Sequence, residues 1–216
     1  MVLDSFIAFS YSTVGRVVYS AAAFVCLLII AGMMARKKTF SVKMLTYTAI
    51  CIALAVVLSY LKLFKMPYGG SVTACSMAFI VLAGFWFGPS VGLLAGMTMG
   101  LIQFAVDPYI VHPVQMFLDY PLAFGMLGLS GFFKDKRFGL YTGFIAGCLG
   151  RCAMSTLSGV VFFAEYAPEG MNPLFYSLLY NGLYIGAEMI ISIVIISVPV
   201  IRMVILMVRQ QATATA

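Results

Sequence analysis

Residues 71–106 read SVTACSMAFIVLAGFWFGPSVGLLAGMTMGLIQFAV, a run without a single Asp, Glu, Lys, Arg or His. Such a run offers water nothing to solvate, whereas lipid wets apolar side chains. Gly88-Pro89 divides it, because proline removes a backbone donor and clashes with the preceding helical turn. The two halves, 71–87 and 90–106, are each near the ~20 residues that cross a hydrocarbon core. The stretch therefore predicts two consecutive membrane helices.

The same pattern continues in both directions. Breaks at Arg36–Lys43, Lys62–Gly70, Asp107–Pro113, Lys134–Arg137 and Glu165–Pro173 leave further helices at 15–35, 43–61, 114–133, 138–164 and 174–207. The fold class is then all-α, a polytopic membrane helix bundle of seven helices. Composition agrees: 63% of residues are hydrophobic and 9% charged, against roughly 25% charged in soluble domains. Spans use nearly all of the 216 residues, which leaves no room for a soluble catalytic or nucleotide-binding domain. The first apolar run, Val17 to Ala35, ends in Arg36-Lys37-Lys38. A signal peptide carries its positive residues first, so this run reads as a true span.

Net charge is +6. In a soluble protein that balance would suggest nucleic acid; here the cations cluster at span ends, and the surroundings are membrane lipids with no nucleic acid partner. Placing Arg36, Lys37, Lys38 and Lys43 inside also puts Lys134, Lys136, Arg137, Arg202 and Arg209 inside, leaving Arg16, Lys62 and Lys65 outside. The positive-inside rule then gives a cytoplasmic C-terminus and outer loops at 62–70, 107–113 and 165–173. Cys26, Cys51, Cys75, Cys148 and Cys152 lie within apolar runs and show no disulfide or metal-ligand spacing, so they read as small apolar fillers. Two rows of glycine, Gly92-Gly96-Gly100 and Gly143-Gly147, let helix backbones approach closely. Ala49 and Ala53 form a similar stripe that could face a partner protein.

Polar residues are rare within membranes and mark function. They gather at the outer end: Tyr68 to Ser71, Gln103, Asp107, Tyr109, His112, Gln115, Asp119, Tyr120, Glu165, Tyr166, Tyr176 and Asn181. Asp119 sits about a turn and a half inside its helix. It either pairs with Arg151 or awaits a cationic ligand, and its depth nearer the outer face favours the ligand. Tyr120, Phe162, Phe163, Tyr166, Phe175, Tyr176, Tyr180 and Tyr184 supply ring faces at the same level, which suits a cation or a flat heterocycle as well as an interfacial aromatic belt. Ser155, Gly159 and Phe163 share one helix face, and Gly159 leaves space for a ring against the backbone. Asn181 can both donate and accept. Asn181, Tyr184 and Glu188 share a face, with Glu188 deeper and suited to a structural hydrogen bond. HExxH and P-loop patterns are absent, so an enzyme is not expected.

Four segments then stand in order: Met66-Pro67-Tyr68-Gly69-Gly70-Ser71-Val72, His112-Pro113-Val114-Gln115-Met116-Phe117-Leu118-Asp119-Tyr120, Ser158 to Gly170, and Tyr176-Ser177-Leu178-Leu179-Tyr180-Asn181. Together they resemble the thiamine-specific S component, the substrate-binding subunit of energy-coupling-factor (ECF) transporters, over about residues 40–205. The resemblance implies a six-helix S-component domain at 39–216, preceded at 1–38 by one extra N-terminal transmembrane helix. It implies high-affinity capture of extracellular thiamine in a bacterial plasma membrane. The partners would be a transmembrane coupling protein and two ATPase subunits, whose ATP hydrolysis drives toppling of the S component and release of the vitamin inside. This chain itself would hydrolyse nothing and need no cofactor and no metal.

Carried over by motif, Asp119 faces the thiazolium cation and Tyr120 follows it. Gly159 and Phe163 line the pocket, Tyr176 and Asn181 bind the aminopyrimidine, Gly69, Gly70 and Ser71 belong to a gating loop, and Ala49 and Ala53 pack on the coupling protein. The sequence departs from the family at Ser155, where a histidine is usual. That keeps open a thiamine precursor such as the hydroxymethylpyrimidine, or another heterocycle. From the residues alone, a stand-alone proton-coupled carrier using Asp119 and Glu188 is a second class, and a scaffold with an Asp119–Arg151 pair a third.

Overall fold

Proline and glycine set the boundaries of the helices. A computed structural model describes residues 41–214 together with Ser12, Val14 and Val18; the expected helix at 15–35 and its basic cluster lie outside the described residues. Helix α1 spans Val42–Ser59, with the Ser41 hydroxyl accepting from the Met44 amide at 3.2 Å as its cap. Helices α2 (Ser76–Phe87) and α3 (Pro89–Val106) are separated by Gly88 at φ +96°, with proline at the first position of the second helix, where its missing N–H needs no partner.

Residues 71–75 do not begin a helix as expected. Gly69 and Gly70, at φ +95° and +80°, turn the chain back on itself, a conformation glycine adopts without steric penalty. Strand β2 (Ser71–Thr73) therefore returns antiparallel along β1 (Lys62–Lys65), with Lys65 opposite Ser71 and Phe64 opposite Val72. The hairpin shortens α2 to twelve residues, about 18 Å at the helical rise. Eleven of those residues are buried, as befits a helix apolar on every side, and α2 is the bundle's central post.

Helix α4 (Pro113–Phe133) is not uniform. Pro121 lies inside it, and the Ala123 amide reaches back to the Leu118 carbonyl, so residues 118–122 form a wider π turn, a local distortion frequent at functional sites. From Met126 the helix tightens to a 3₁₀ form. Helix α5 covers Gly139–Phe162 and α6 covers Pro173–Ser197. The expected continuous helix 174–207 is broken: Val198 is extended at ψ 123° and α7 (Pro199–Thr213) starts anew, since a residue before proline is pushed out of the helical region. Five of these helices, α1, α3, α4, α5 and α6, are long and apolar enough to cross a membrane.

Glycine holds α3, α4 and α5 together. A Cβ on Gly92 would stand 2.6 Å from the Gly84 Cα and 2.8 Å from the Gly128 Cα. On Gly96, Gly100 and Gly128 it would fall on the backbones of Phe124, Tyr120 and Leu93. On Gly143 and Gly147 it would meet the carbonyls of Ser130 and Leu127 at 2.8 Å. Contact this close lets dispersion and Cα–H···O contacts replace the hydrophobic effect, which is weak between helices in lipid. Ala49 and Ala53 are instead exposed on the outer face of α1, beside Ile50 and Leu54. At one end of the bundle lie Lys134, Lys136 and Arg137, with Arg209 donating to Asp135 at 3.2 Å. The opposite end holds the hairpin and the connections 107–112 and 163–172.

Candidate functional site

At the hairpin end, side chains of α3, α4, α5 and α6 converge on a cavity of about 190 Å³. All ten pocket and loop residues singled out from sequence line it: Gly69, Gly70, Ser71, Asp119, Tyr120, Ser155, Gly159, Phe163, Tyr176 and Asn181. Ala49 and Ala53 do not.

The π turn of α4 presents Asp119, whose Oδ2 accepts from Gln115 Nε2 at 2.6 Å. Gln115 is itself buried, and it also binds the Val111 amide and the Tyr109 carbonyl. A neutral amide thus fixes the carboxylate without neutralising it. Ser158 and Arg151 face the same carboxyl. The ion pairs formed among the described residues join Lys62 to Asp107 and Arg209 to Asp135; Asp119 and Arg151 do not form one. Arg151 lies with its guanidinium carbon 4.0 Å from the centre of the Phe124 ring, and its buried Nε has no hydrogen-bond partner among the described residues. The cavity wall therefore offers a carboxylate and a guanidinium that face each other without a direct ion pair, an arrangement that is expensive in a membrane unless a ligand uses it.

Tyr120 contributes its ring edge-on to Phe104, while its hydroxyl accepts from the Tyr109 amide at 2.7 Å and donates to the Asp107 carbonyl at 3.1 Å. The tyrosine thus ties the 107–109 connection to the cavity wall. Gly159 lines the cavity, and Ser177 of α6 packs where a side chain on it would stand. Asn181 donates to the Ser177 carbonyl at 2.9 Å and accepts from the Tyr184 hydroxyl at 3.0 Å, which fixes the orientation of its amide. Each of its polar atoms retains capacity for a second bond.

Aromatic rings close the outer side. Tyr68 of the hairpin turn stacks on Tyr166 at 4.7 Å and 12°, and Tyr166 stacks on Phe163 at 5.8 Å. The Tyr109 hydroxyl meets that of Tyr166 at 3.2 Å. At the rim, Lys62 Nζ stands 2.7 Å from Asp107 Oδ2; this hydrogen bond holds the Asp107 carboxyl below the usual carboxylate range, against an opposing push from partial burial. His112 lies outside the cavity, accepting from the Val114 amide as the cap of α4 and stacking on Phe162. Among the wall residues, Gln115, Arg151 and Ser177 had no binding role assigned from sequence, and Ser59, Thr73, Ser76 and Phe124 were not singled out at all. A signal for Gln115 existed in its spacing of four from Asp119, and one for Arg151 in its charge within an apolar span.

Residues 45–208 match the model of a family described as "Thiamine transporter protein (Thia_YuaJ)". The thiamine transporter ThiT of Bacillus subtilis (strain 168) is 36% identical over 164 residues, covering 68% of this chain and 85% of that protein. The protein of the same name from Lacticaseibacillus paracasei is 28% identical over 172 residues, covering 70% and 83%. A solved structure of ThiT from Listeria monocytogenes superposes with a TM-score of 0.65 at 26% identity, covering 72% of this chain and 91% of that one.

Proposed function

The chain belongs to this thiamine transporter family, and we propose that it is the membrane-embedded S component that captures thiamine from outside for an ATP-driven ECF importer. The observation that carries the reading is the Asp119 carboxylate, which lines the cavity, is held by neutral Gln115, and forms no ion pair with Arg151. Thiamine carries a permanent thiazolium charge and a flat aminopyrimidine. Asp119 supplies the counter-charge, the Tyr68–Tyr166–Phe163 stack supplies ring faces, and Tyr176 and Asn181 supply the polar edge. Ser155 stands on the same wall, buried.

Asp119→Asn keeps the shape and removes the charge. A hydrogen bond to a charged group contributes ~1.5–3 kcal/mol, so thiamine affinity should fall roughly ten- to 150-fold, read by titration of the purified protein. Unaltered affinity would remove Asp119 from the role. Competition with the hydroxymethylpyrimidine separates the closest alternative, because a ligand without the cation would bind wild type and Asp119→Asn alike.

On this reading the energy comes from other chains. A coupling protein and two ATPase subunits fit that need, and the exposed Ala49–Ala53 face of α1 gives a helix backbone close access. Replacing both alanines with leucine should abolish co-purification with the coupling protein while leaving thiamine binding intact; loss of binding instead would place that face in the fold of the cavity. The excess of Lys and Arg at the 134–137 end supports a cytoplasmic C-terminus.

A further inference from the structure

Three successive turns of α6 grip the hairpin that covers the cavity. Tyr180, Tyr184 and Glu188 recur every four residues and so share one helix face. Outermost, the Tyr180 hydroxyl donates to the Gly69 carbonyl at 2.8 Å and accepts from the Tyr68 amide at 2.9 Å. One turn deeper, Gly70 lies on the Tyr184 ring, where a Cβ would stand 2.9 Å from Cε1. A further turn down is Glu188, only 2% exposed. Its carboxylate accepts from the amides of Thr73 (2.9 Å) and Met77 (3.0 Å), and the hydroxyls of Thr73 and Ser76 lie at 2.7 and 3.1 Å.

These bonds bracket a weak point in the backbone. Cys75 adopts φ +66°, the one described non-glycine residue at positive φ, and α2 begins after it with no side-chain cap. A left-handed non-glycine residue persists only where its surroundings over-determine it. Glu188 does so by holding Thr73 before the turn and Ser76 and Met77 after it, and it supplies to the α2 N-terminus the negative charge a helix start favours. Bonds to a carboxylate are about twice as strong as neutral ones. The grip is therefore strongest at the buried end and weakest at Tyr180, which is partly exposed and makes neutral bonds.

We infer that Glu188 is a positioning residue that anchors the inner end of a hairpin lid, and that Tyr180 is the detachable catch at its outer end, so that the lid swings about the Thr73–Cys75 turn as ligand enters and leaves. The inference rests on the thiamine-capture reading and specifies how the site opens.

Hydrogen exchange on the ligand-free protein, paired with thiamine association and dissociation rates, tests it. Tyr180→Phe should speed exchange by about tenfold or more at residues 66–71 and leave 73–77 protected, as a local opening does. It should raise association and dissociation rates together. Glu188→Gln should speed exchange at 73–77 as well, and raise dissociation without raising association. Thr73→Val, which removes one hydroxyl bond, should give the same signature more weakly should the glutamine variant fail to fold. Unchanged exchange at 73–77 in the Glu188 and Thr73 variants, or spread of the Tyr180→Phe effect into 73–77, would overturn the anchor-and-catch arrangement. Exchange as described in a protein that binds no thiamine would leave the arrangement standing and remove the capture reading instead.

Discussion

The seam between α3, α4 and α5 and the cavity above it are built from the same helices by opposite means. In the seam, glycines bring backbone against backbone, from Gly92 on Gly128 to Gly147 on Leu127. In the cavity, contact runs through long polar and aromatic side chains: Gln115 to Asp119, Tyr68 to Tyr166, Tyr180 to Gly69. Helix α4 belongs to both, with its tight half in the seam and its π turn at the cavity. Removing side chains gives an invariant spacing; adding polar ones gives a space that a ligand can fill.

The hardest blow to this contrast falls on the seam. Gly128→Leu drives a side chain into the Gly92–Leu93 backbone. Overpacking typically destabilises by ~1–3 kcal/mol, more where backbone must move, against a total stability of ~5–15 kcal/mol. The yield of folded protein in detergent should collapse, whereas Gly182→Leu, which has no atom within 4 Å, should be tolerated. Equal damage from both would erase the distinction. Where the regions meet, Gly100→Ala would push on the Tyr120 carbonyl within the π turn. About tenfold weaker thiamine binding, ~1.4 kcal/mol, is expected with a small change in thermal midpoint; the reverse pattern would assign Gly100 to the seam alone. The smallest effect belongs to the rim. The Asp107 carboxyl is held low by Lys62, so their contact is complete above the ordinary carboxylate range and fades as pH falls through the lowered value. The pair is exposed and such pairs contribute little. Below about pH 4, thiamine dissociation should quicken by less than about twofold through this pair, and Lys62→Ala should remove that component of the pH profile.

The seam and most of the cavity were legible because a membrane makes polarity and glycine rare enough to notice. Asp119, Tyr176 and Asn181 stand out against apolar neighbours, and Gly92, Gly96 and Gly100 declare their spacing. The hairpin was not legible. Ser71-Val72-Thr73-Ala74-Cys75 merges into the apolar run after it, and a short apolar run does not distinguish strand from helix. Pro199 was hidden likewise, since Val198, Val200 and Ile201 continue the hydrophobic pattern across the break. Gln115 acquires its meaning only through its bond to Asp119 at the edge of the π turn. Arg151 was weighed only as a partner for Asp119, because sequence separation says nothing about which charges finally meet.

The glycine seam has a further consequence, in entropy. Helices in a bilayer form before they pack, so the backbone freedom that glycine gives up is already gone when α3, α4 and α5 meet. Glycine then has no rotamers left to freeze, whereas each tyrosine over the cavity does. The seam closes with almost no loss of disorder, and the disorder that remains to be lost is concentrated in the rings and turn above Asp119, where an arriving ligand can take it up.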